Sequence, residues 1–357
     1  MSLPPPGPPL SFPSHEPRIF IVKPSSLGDI IHTLPALSAL RAAFPEASLG
    51  WIVNTEWAPL LLGHPHLDEV VAFPRQEFRG LTGWWNAWQW MQSTLSDKEP
   101  DLVLDFQGLA RSAVLARSTK APIIAGFREA RELAWLAYHR RIPVPDHRQL
   151  HAVHRYLRLL TGLGIPVPEE PQFVLGAGDP VPEEALPAGT APLVAIHPFS
   201  RGAGKSLQPS EVLAFCKEAV SEGLRVVVVG SSREDFDVTL LPEGAVSLLG
   251  RTTLPQLIHV LRQACWTLSV DSGPMHLAAA LTDRVISLHT WSDPLLVGPC
   301  RPRSWIWRDG QLVQVRHLRP GQFPEQRHLR ANWPVGAPLL PGGEPEKLAR
   351  FILSKIR

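Results

Sequence analysis

A chain of 357 residues, 44% of them hydrophobic and 19% charged, is long enough to bury two cores and reads as an ordinary globular protein. Its 35 basic and 33 acidic residues leave a net charge of +2, too balanced for the electrostatic footprint of a general nucleic-acid binder. Three cysteines, Cys216, Cys265 and Cys300, are widely spaced and form no CxxC pair, which argues against a disulfide framework or a structural zinc site and fits a reducing cytosol.

Residues 1–17, MSLPPPGPPLSFPSHEP, have neither the basic nor the apolar region of a signal peptide, and their proline density predicts a flexible tail. No stretch is apolar enough to span a bilayer, so the expected location is cytoplasmic, with any membrane contact peripheral. From Arg18 short apolar runs alternate with helical patterns: RIFIV then Asp29 to Ala43, LGWIV then Glu56 to Leu62, DLVLDF then Leu109 to Arg117. Such alternation predicts a parallel, doubly wound sheet over 18–170.

Lys23-Pro24-Ser25-Ser26-Leu27-Gly28-Asp29 follows the first strand and opens the first helix, at the sheet edge where open α/β folds bind ligands. Gly28 permits close backbone approach, and Asp29 projects near the positive end of a helix. That carboxylate either complements the helix dipole or acts as general base on a hydroxyl. Further on, FRGLTGWWNAWQWM places four tryptophans in the seven residues 84–90. Trp84, Trp88 and Met91 share one helical face, so packing into the core is the first expectation. The alternative is an aromatic flap that meets a lipid or sugar acceptor, helped by Arg75 and Arg79.

Proline and glycine crowd 166–192, and 171–192 reads as a linker. A second α/β unit follows over 193–340: LVAIH, a helix over Pro209–Glu222, LRVVVVG, a helix near Arg233, VSLL, a helix over Leu254–Gln263, WTLSV, a helix from Pro274, and VISLH. The pattern decays after Pro299 until a final helix, Glu344 to Ile356. The loop His197-Pro198-Phe199-Ser200-Arg201-Gly202-Ala203-Gly204-Lys205-Ser206 reads as a phosphate cradle with Lys205 as its point charge. It is no Walker A loop, because Phe199 stands where that pattern needs glycine. Val270-Asp271-Ser272-Gly273-Pro274-Met275-His276 follows a strand; Ser272 is a candidate N-cap, and the free N–H groups there either are simply capped or bind a diphosphate, with His276 one turn in. Asp235-Phe236-Asp237 spells a DxD metal motif but is read as helix-start acids, and neither GxGxxG nor HExxH occurs.

Taken in order from Arg18 to Pro299, the segments IVKPSSLGDIIHTLPAL, DFQGLARSAVL, AREL (Ala130–Leu133), HAVHR (His151–Arg155), HPFSRGAGK and SVDSGPMHLAAAL resemble the heptosyltransferases of glycosyltransferase family 9. The resemblance implies a GT-B fold: two Rossmann-like doubly wound domains facing a cleft, the first for acceptor and the second for nucleotide sugar, with the C-terminal helix (341–357) returning to the first. It implies Asp29 as catalytic base, and Ser200, Arg201, Lys205, Asp271, Ser272, Gly273 and His276 as nucleotide-sugar contacts. Ser26, Gly28, Arg75, Arg79, Gln107, Arg111 and Arg131 become acceptor contacts. The implied reaction is inverting transfer of heptose from ADP-L-glycero-β-D-manno-heptose to a Kdo-lipid A acceptor of the lipopolysaccharide core, with no cofactor or metal. Expected partners are the donor, the glycolipid and transiently the membrane surface; a monomer is expected. The chain departs from the family after Lys205, where Ser206-Leu207-Gln208-Pro209 replaces an aromatic pair before proline, and one extra residue separates His197 from Lys205. These changes keep two alternatives open: another nucleotide sugar or acceptor, or a binding protein without turnover.

Overall fold

A computed structural model describes residues 10, 12, 16–80, 82–146, 148–201, 204–334 and 336–356. Most of the proline-rich tail, and Gly202 and Ala203 of the glycine loop, lie outside the described residues. The chain divides into two compact units, residues 1–176 and 177–357, so the division falls inside the Pro/Gly-rich segment.

The first unit runs β1 (Arg18–Val22), α1 (Leu27–Ala43), β2 (Ser48–Asn54), β3 (Glu69–Phe73), α2 (Gly83–Thr94), β4 (Leu102–Asp105), α3 (Ala110–Ser118), β5 (Ile123–Phe127), β6 (Arg140–Ile142) and α4 (Ala152–Thr161). Its strands order as β3-β2-β1-β4-β5-β6, and every pair is parallel. β1 and β4 are buried along nearly their whole length, as strands with helices on both faces must be. Strand order reverses between β1 and β4, which makes the ends of Val22 and Asp105 the switch point of this sheet. The helix expected over Glu56–Leu62 is a 3-10 turn, Thr55–Leu60, that encloses Pro59.

The second unit runs β7 (Leu193–His197), α5 (Pro209–Ser221), β8 (Arg225–Val228), β9 (Ala245–Ser247), α6 (Leu254–Gln263), β10 (Trp266–Val270), α7 (Gly273–Leu281), β11 (Val285–Leu288), α8 (Pro294–Val297), β12 (Trp305–Arg308), β13 (Gln311–Gln314), α9 (Arg327–Asn332) and α10 (Glu344–Ile356). The sheet order is β13-β12-β11-β10-β7-β8-β9, parallel except for β12 with β13. Its switch point lies between β7 and β10, at His197 and Val270.

Two expectations are corrected here. The segment near Arg233 forms no α-helix; Asp237 caps a single 3-10 turn, Val238–Leu240, and Pro242 follows at once. The decay after Pro299 conceals a hairpin, in which Asp309 (φ 52°) and Gly310 (φ 74°) form the two-residue turn between β12 and β13. The C-terminal helix α10 packs on α5 of its own unit. Leu348, Ala349 and Ile352 are buried there with Val212 and Phe215, and each large aliphatic so buried contributes roughly 2 kcal/mol.

Candidate active site: one carboxylate at each switch point

Asp29 sits in the first turn of α1, after Ser26 at the N-cap. Its Oδ2 accepts from the Ser26 N–H (3.2 Å) and hydroxyl (2.8 Å), so the carboxylate takes part in the helix start as a capping box. Its Oδ1 accepts from the Tyr156 hydroxyl (3.1 Å), and the Lys23 ammonium lies 3.9 Å away. Of a carboxylate's roughly four acceptor positions these bonds occupy three, and 37% of the side chain remains exposed. One position is therefore open to an incoming hydroxyl.

Burial works to raise the Asp29 carboxyl, but the charge of Lys23 and the bonds from Ser26 and Tyr156 outweigh it and hold it below the usual carboxylate value. It is an anion at neutral pH. Lys23, buried at the end of β1, donates to the Phe106 carbonyl beyond β4 (3.2 Å) and lies 4.8 Å from the Tyr156 ring centre. Burial opposes its charge, while Tyr156 and Asp29 raise its pKa overall. The lysine thus bridges the crevice between β1 and β4 beside the carboxylate.

Past β4, Asp105 is fully buried and accepts from Gln107 N (2.8 Å), Gly108 N (3.1 Å), Ser112 Oγ (2.8 Å) and Tyr138 Oη (2.7 Å). These bonds shape the loop that carries Gln107, whose side-chain oxygen is buried without a hydrogen-bond partner. The Arg131 N–H donates to Gly108 O (2.9 Å), which sets the exposed Arg131 beside that loop. Ser26, Gly28 and Asp29 are therefore gathered at the switch point, with Gln107 on the loop after β4 and Arg131, on the loop after β5, beside it. Arg75, Arg79 and Arg111 line a second feature, a 710 Å3 cavity with Phe73, Trp84 and Trp88.

The core expectation for the tryptophan helix is corrected. Trp84, Trp85 and Trp88 are exposed, and Met91 is the one member of the proposed face that is buried. Trp90 turns inward instead, its ring 5.3 Å from Phe73 and 6.2 Å from Phe78. The buried stripe of α2 thus lies one position away from the one expected.

In the second unit Lys205 Nζ meets Asp271 Oδ2 at 2.5 Å, and the Ser292 hydroxyl donates to the same oxygen at 2.6 Å. Burial would raise the Asp271 carboxyl; His289, which carries charge only in the acid range where Asp271 titrates, together with Lys205 and Ser292 overcomes this and holds it at about 2. His289 is itself depressed to about 4, chiefly by burial, and is neutral at physiological pH. Lys205 also stands 4.3 Å over the Trp291 ring. The lysine of the glycine loop is thus held by a buried anion on one side and an aromatic face on the other.

Ser206 closes that loop, accepting from Ser200 N (2.9 Å) and donating to Ser200 O (3.0 Å). Thr290 donates to Gly204 O (2.7 Å), and a Cβ on Gly204 (φ 67°) would fall 2.5 Å from the Trp333 ring. Only glycine permits that approach. Ser200, Arg201, Gly204, Ser232, Arg233 and Trp333 are among the walls of a 590 Å3 cavity.

Ser272 occupies the N-cap position of α7, but its hydroxyl makes no capping bond and lies 3.2 Å from His197 Nδ1. His197, at the end of β7, is buried and held at about 4, so it is a neutral imidazole at physiological pH. The Gly273 N–H at the helix start lies outside the helix ladder and can meet an anion, and His276 is buried in the same first turn. Asp235 binds Arg233 and Asp237 caps its own turn. Among the described residues no group of three or more His, Cys, Asp or Glu is placed to hold a metal.

Sequence reasoning missed Tyr156, Asp105, Ser292, Trp291 and Trp333. Tyr156 is 127 residues from Asp29, and no local spacing connects them. Only the Asp309-Gly310 turn carried a readable signal, that of a hairpin leading toward the Trp333 segment.

Comparison with known proteins bears on the family and the fold of the chain. The family model of "Glycosyltransferase family 9 (heptosyltransferase)" matches residues 88–317. Lipopolysaccharide heptosyltransferase 1 of Escherichia coli O18:K1:H7 (strain RS218 / NMEC) is 30% identical over 328 residues, 88% of this chain and 99% of that one. The protein of the same name from Pseudomonas aeruginosa is 31% identical over 299 residues, 79% and 81% of the two chains. Among solved structures, E. coli heptosyltransferase WaaC with ADP superposes with a TM-score of 0.69 at 26% identity, covering 82% of this chain and 94% of that one. E. coli ADP-heptose lps heptosyltransferase II gives 0.70 at 20% identity, covering 95% and 100%, a likeness of fold alone. These likenesses identify the two doubly wound domains as a GT-B fold.

Proposed function

The chain belongs to glycosyltransferase family 9, and from that we propose that it transfers a heptose from an ADP-activated donor to a lipopolysaccharide-core acceptor. The observation that carries the mechanism is the half-exposed Asp29 carboxylate, ionised at neutral pH and with one acceptor position open. It takes the proton of an acceptor hydroxyl as that oxygen attacks the anomeric carbon, a single displacement that inverts configuration. Ser26, Gly28, Gln107 and Arg131 border the acceptor there; Arg75, Arg79 and Arg111 reach its anionic groups.

The donor's diphosphate is received by the Gly273 N–H at the start of α7 and by Lys205, with Ser200 and Arg201 on the loop before it. As the bond to the sugar breaks, negative charge gathers on ADP, and Lys205 is already oriented to meet it by Asp271 and Trp291. Positive charge and helix-start dipoles thus do the work for which other transferases use a divalent cation.

The test is ADP release from ADP-heptose with de-acylated Kdo-lipid A, in EDTA, comparing the parent with Asp29→Asn. Acceptor-dependent release by the parent alone is expected. Loss of the parent's turnover in EDTA would refute metal independence, and normal turnover by the variant would remove Asp29 as base. The altered segment after Lys205 favours a second reading, binding of the nucleotide sugar without turnover; donor that binds but never releases ADP would establish it.

A further inference from the structure

Ser287 on β11, His289 just beyond it and Ser292 on the loop that follows are buried polar side chains, beside the apolar Ile286 and Leu288 of an interior strand. Apolar residues would pack there without the cost of desolvating two hydroxyls and an imidazole. The three are linked in a row. Ser287 Oγ lies 2.7 Å from His289 Nε2, His289 Nδ1 lies 2.9 Å from Ser292 Oγ, and the Ser292 hydroxyl meets Asp271 Oδ2 at 2.6 Å. The row thus ends on the carboxylate that holds Lys205.

Which way each bond runs follows from the last member. Asp271 is an anion and only accepts, so the single hydroxyl proton of Ser292 is committed to it. Ser292 must then accept from His289, which puts the imidazole proton on Nδ1. His289 is neutral at physiological pH, so its Nε2 carries a lone pair and accepts from the Ser287 hydroxyl. The charged and titratable groups that face His289 are Asp271, Lys205, His276 and Arg308. The backbone on either side is pinned: Arg308, fully buried, donates to the Ser292 carbonyl (2.9 Å), and the His289 N–H donates to the Trp307 carbonyl (2.9 Å).

Lys205 and Ser292 converge on one oxygen of Asp271. A lysine paired with an aspartate alone is nearly neutral toward a ligand, and each step it takes toward a phosphate leaves a buried anion uncompensated. A hydroxyl on the same oxygen, polarised by the histidine behind it, stays in place when the lysine leans away. We infer that Ser287, His289 and Ser292 are positioning residues for diphosphate binding: their directed row of hydrogen bonds carries part of the Asp271 charge, so that Lys205 can be shared with a nucleoside diphosphate. The inference rests on the proposal that the donor diphosphate binds at Lys205.

Two measurements on the full chain test it. The first needs no ligand and no altered core: nitrogen NMR of histidine-labelled parent at neutral pH, with the His289 signals assigned by their loss in His289→Asn, should show a protonated Nδ1 and an unprotonated Nε2. A proton on Nε2 instead would overturn the inference. The second is calorimetry with ADP as the probe. Ser292→Ala and His289→Leu should each weaken ADP binding about tenfold, the size of a lost bond to a charged group. His289→Asn, whose Nδ2 can stand where Nδ1 stood, should stay within about threefold of the parent. In a Lys205→Met background Ser292→Ala should change ADP binding by less than about twofold, because the row acts through the lysine. Additive losses in that double variant, or equal losses in His289→Asn and His289→Leu, would mark a packing role and overturn the inference. ADP bound equally well by the parent and Ser292→Ala would overturn the inference alone, whereas a parent that binds no ADP would remove the donor site together with it.

Discussion

The two units place an aspartate at the same topological position, just beyond the carboxyl ends of the strands where sheet order reverses, and use it in opposite ways. Asp29 is half-exposed, faces its lysine across 3.9 Å, and is steadied by two hydroxyls and an N–H. Asp271 is buried, in contact with its lysine at 2.5 Å, and held at about 2. An anion with an open lone pair can accept a proton. One enclosed by a cation and a hydroxyl serves instead to aim that cation. Lysines divide in the same manner: Lys23 is sunk in the sheet edge, whereas Lys205 stands on a loop beside a cavity.

The largest test of this contrast is Asp29→Asn, which should lower kcat about 10^3-fold while donor affinity is retained, measured by steady-state kinetics and calorimetry. Lys205→Met should slow turnover roughly a hundredfold by removing one donor to the leaving diphosphate, read from the same assay. Asp271→Asn should leave proton transfer intact but cost about 2 kcal/mol of stability, since it removes a buried charge-assisted bond; chemical denaturation measures this. A variant at Asp271 as inactive as Asp29→Asn, yet fully stable, would erase the distinction between the two carboxylates.

The smallest effect concerns pH. Asp29 is lowered below the ordinary carboxylate value, so its proton-accepting form is complete at neutrality and is lost only in strong acid. Profiles of kcat/KM should therefore be flat from about pH 6 to 8, and an acid limb centred near 6 would contradict an ionised Asp29. Asp271 follows the stability counterpart of this sign: its folded pKa lies below its unfolded one, so its contribution is complete above the ordinary value and fades as pH falls toward 2.

Much of this was legible in the chain itself. Alternating apolar runs and helical stretches define both sheets, because a strand covered on both faces must be apolar throughout. Motifs that open a helix right after a strand are local, which is why the positions of Asp29 and Asp271 at strand-to-helix turns were legible. What tertiary structure alone decided are the contacts that join distant segments: Tyr156 on Asp29, Ser292 and Lys205 on one oxygen of Asp271, and Trp333 over Gly204. Helix period alone also could not say which stripe of α2 faces inward, since tryptophans lie on several sides and Phe73 and Phe78 select Trp90. The C-terminal helix has an apolar face that many surfaces could cover, and packing against Val212 and Phe215 settled which one does. Periodicity determines that a face is buried; shape complementarity between segments far apart in sequence determines what buries it.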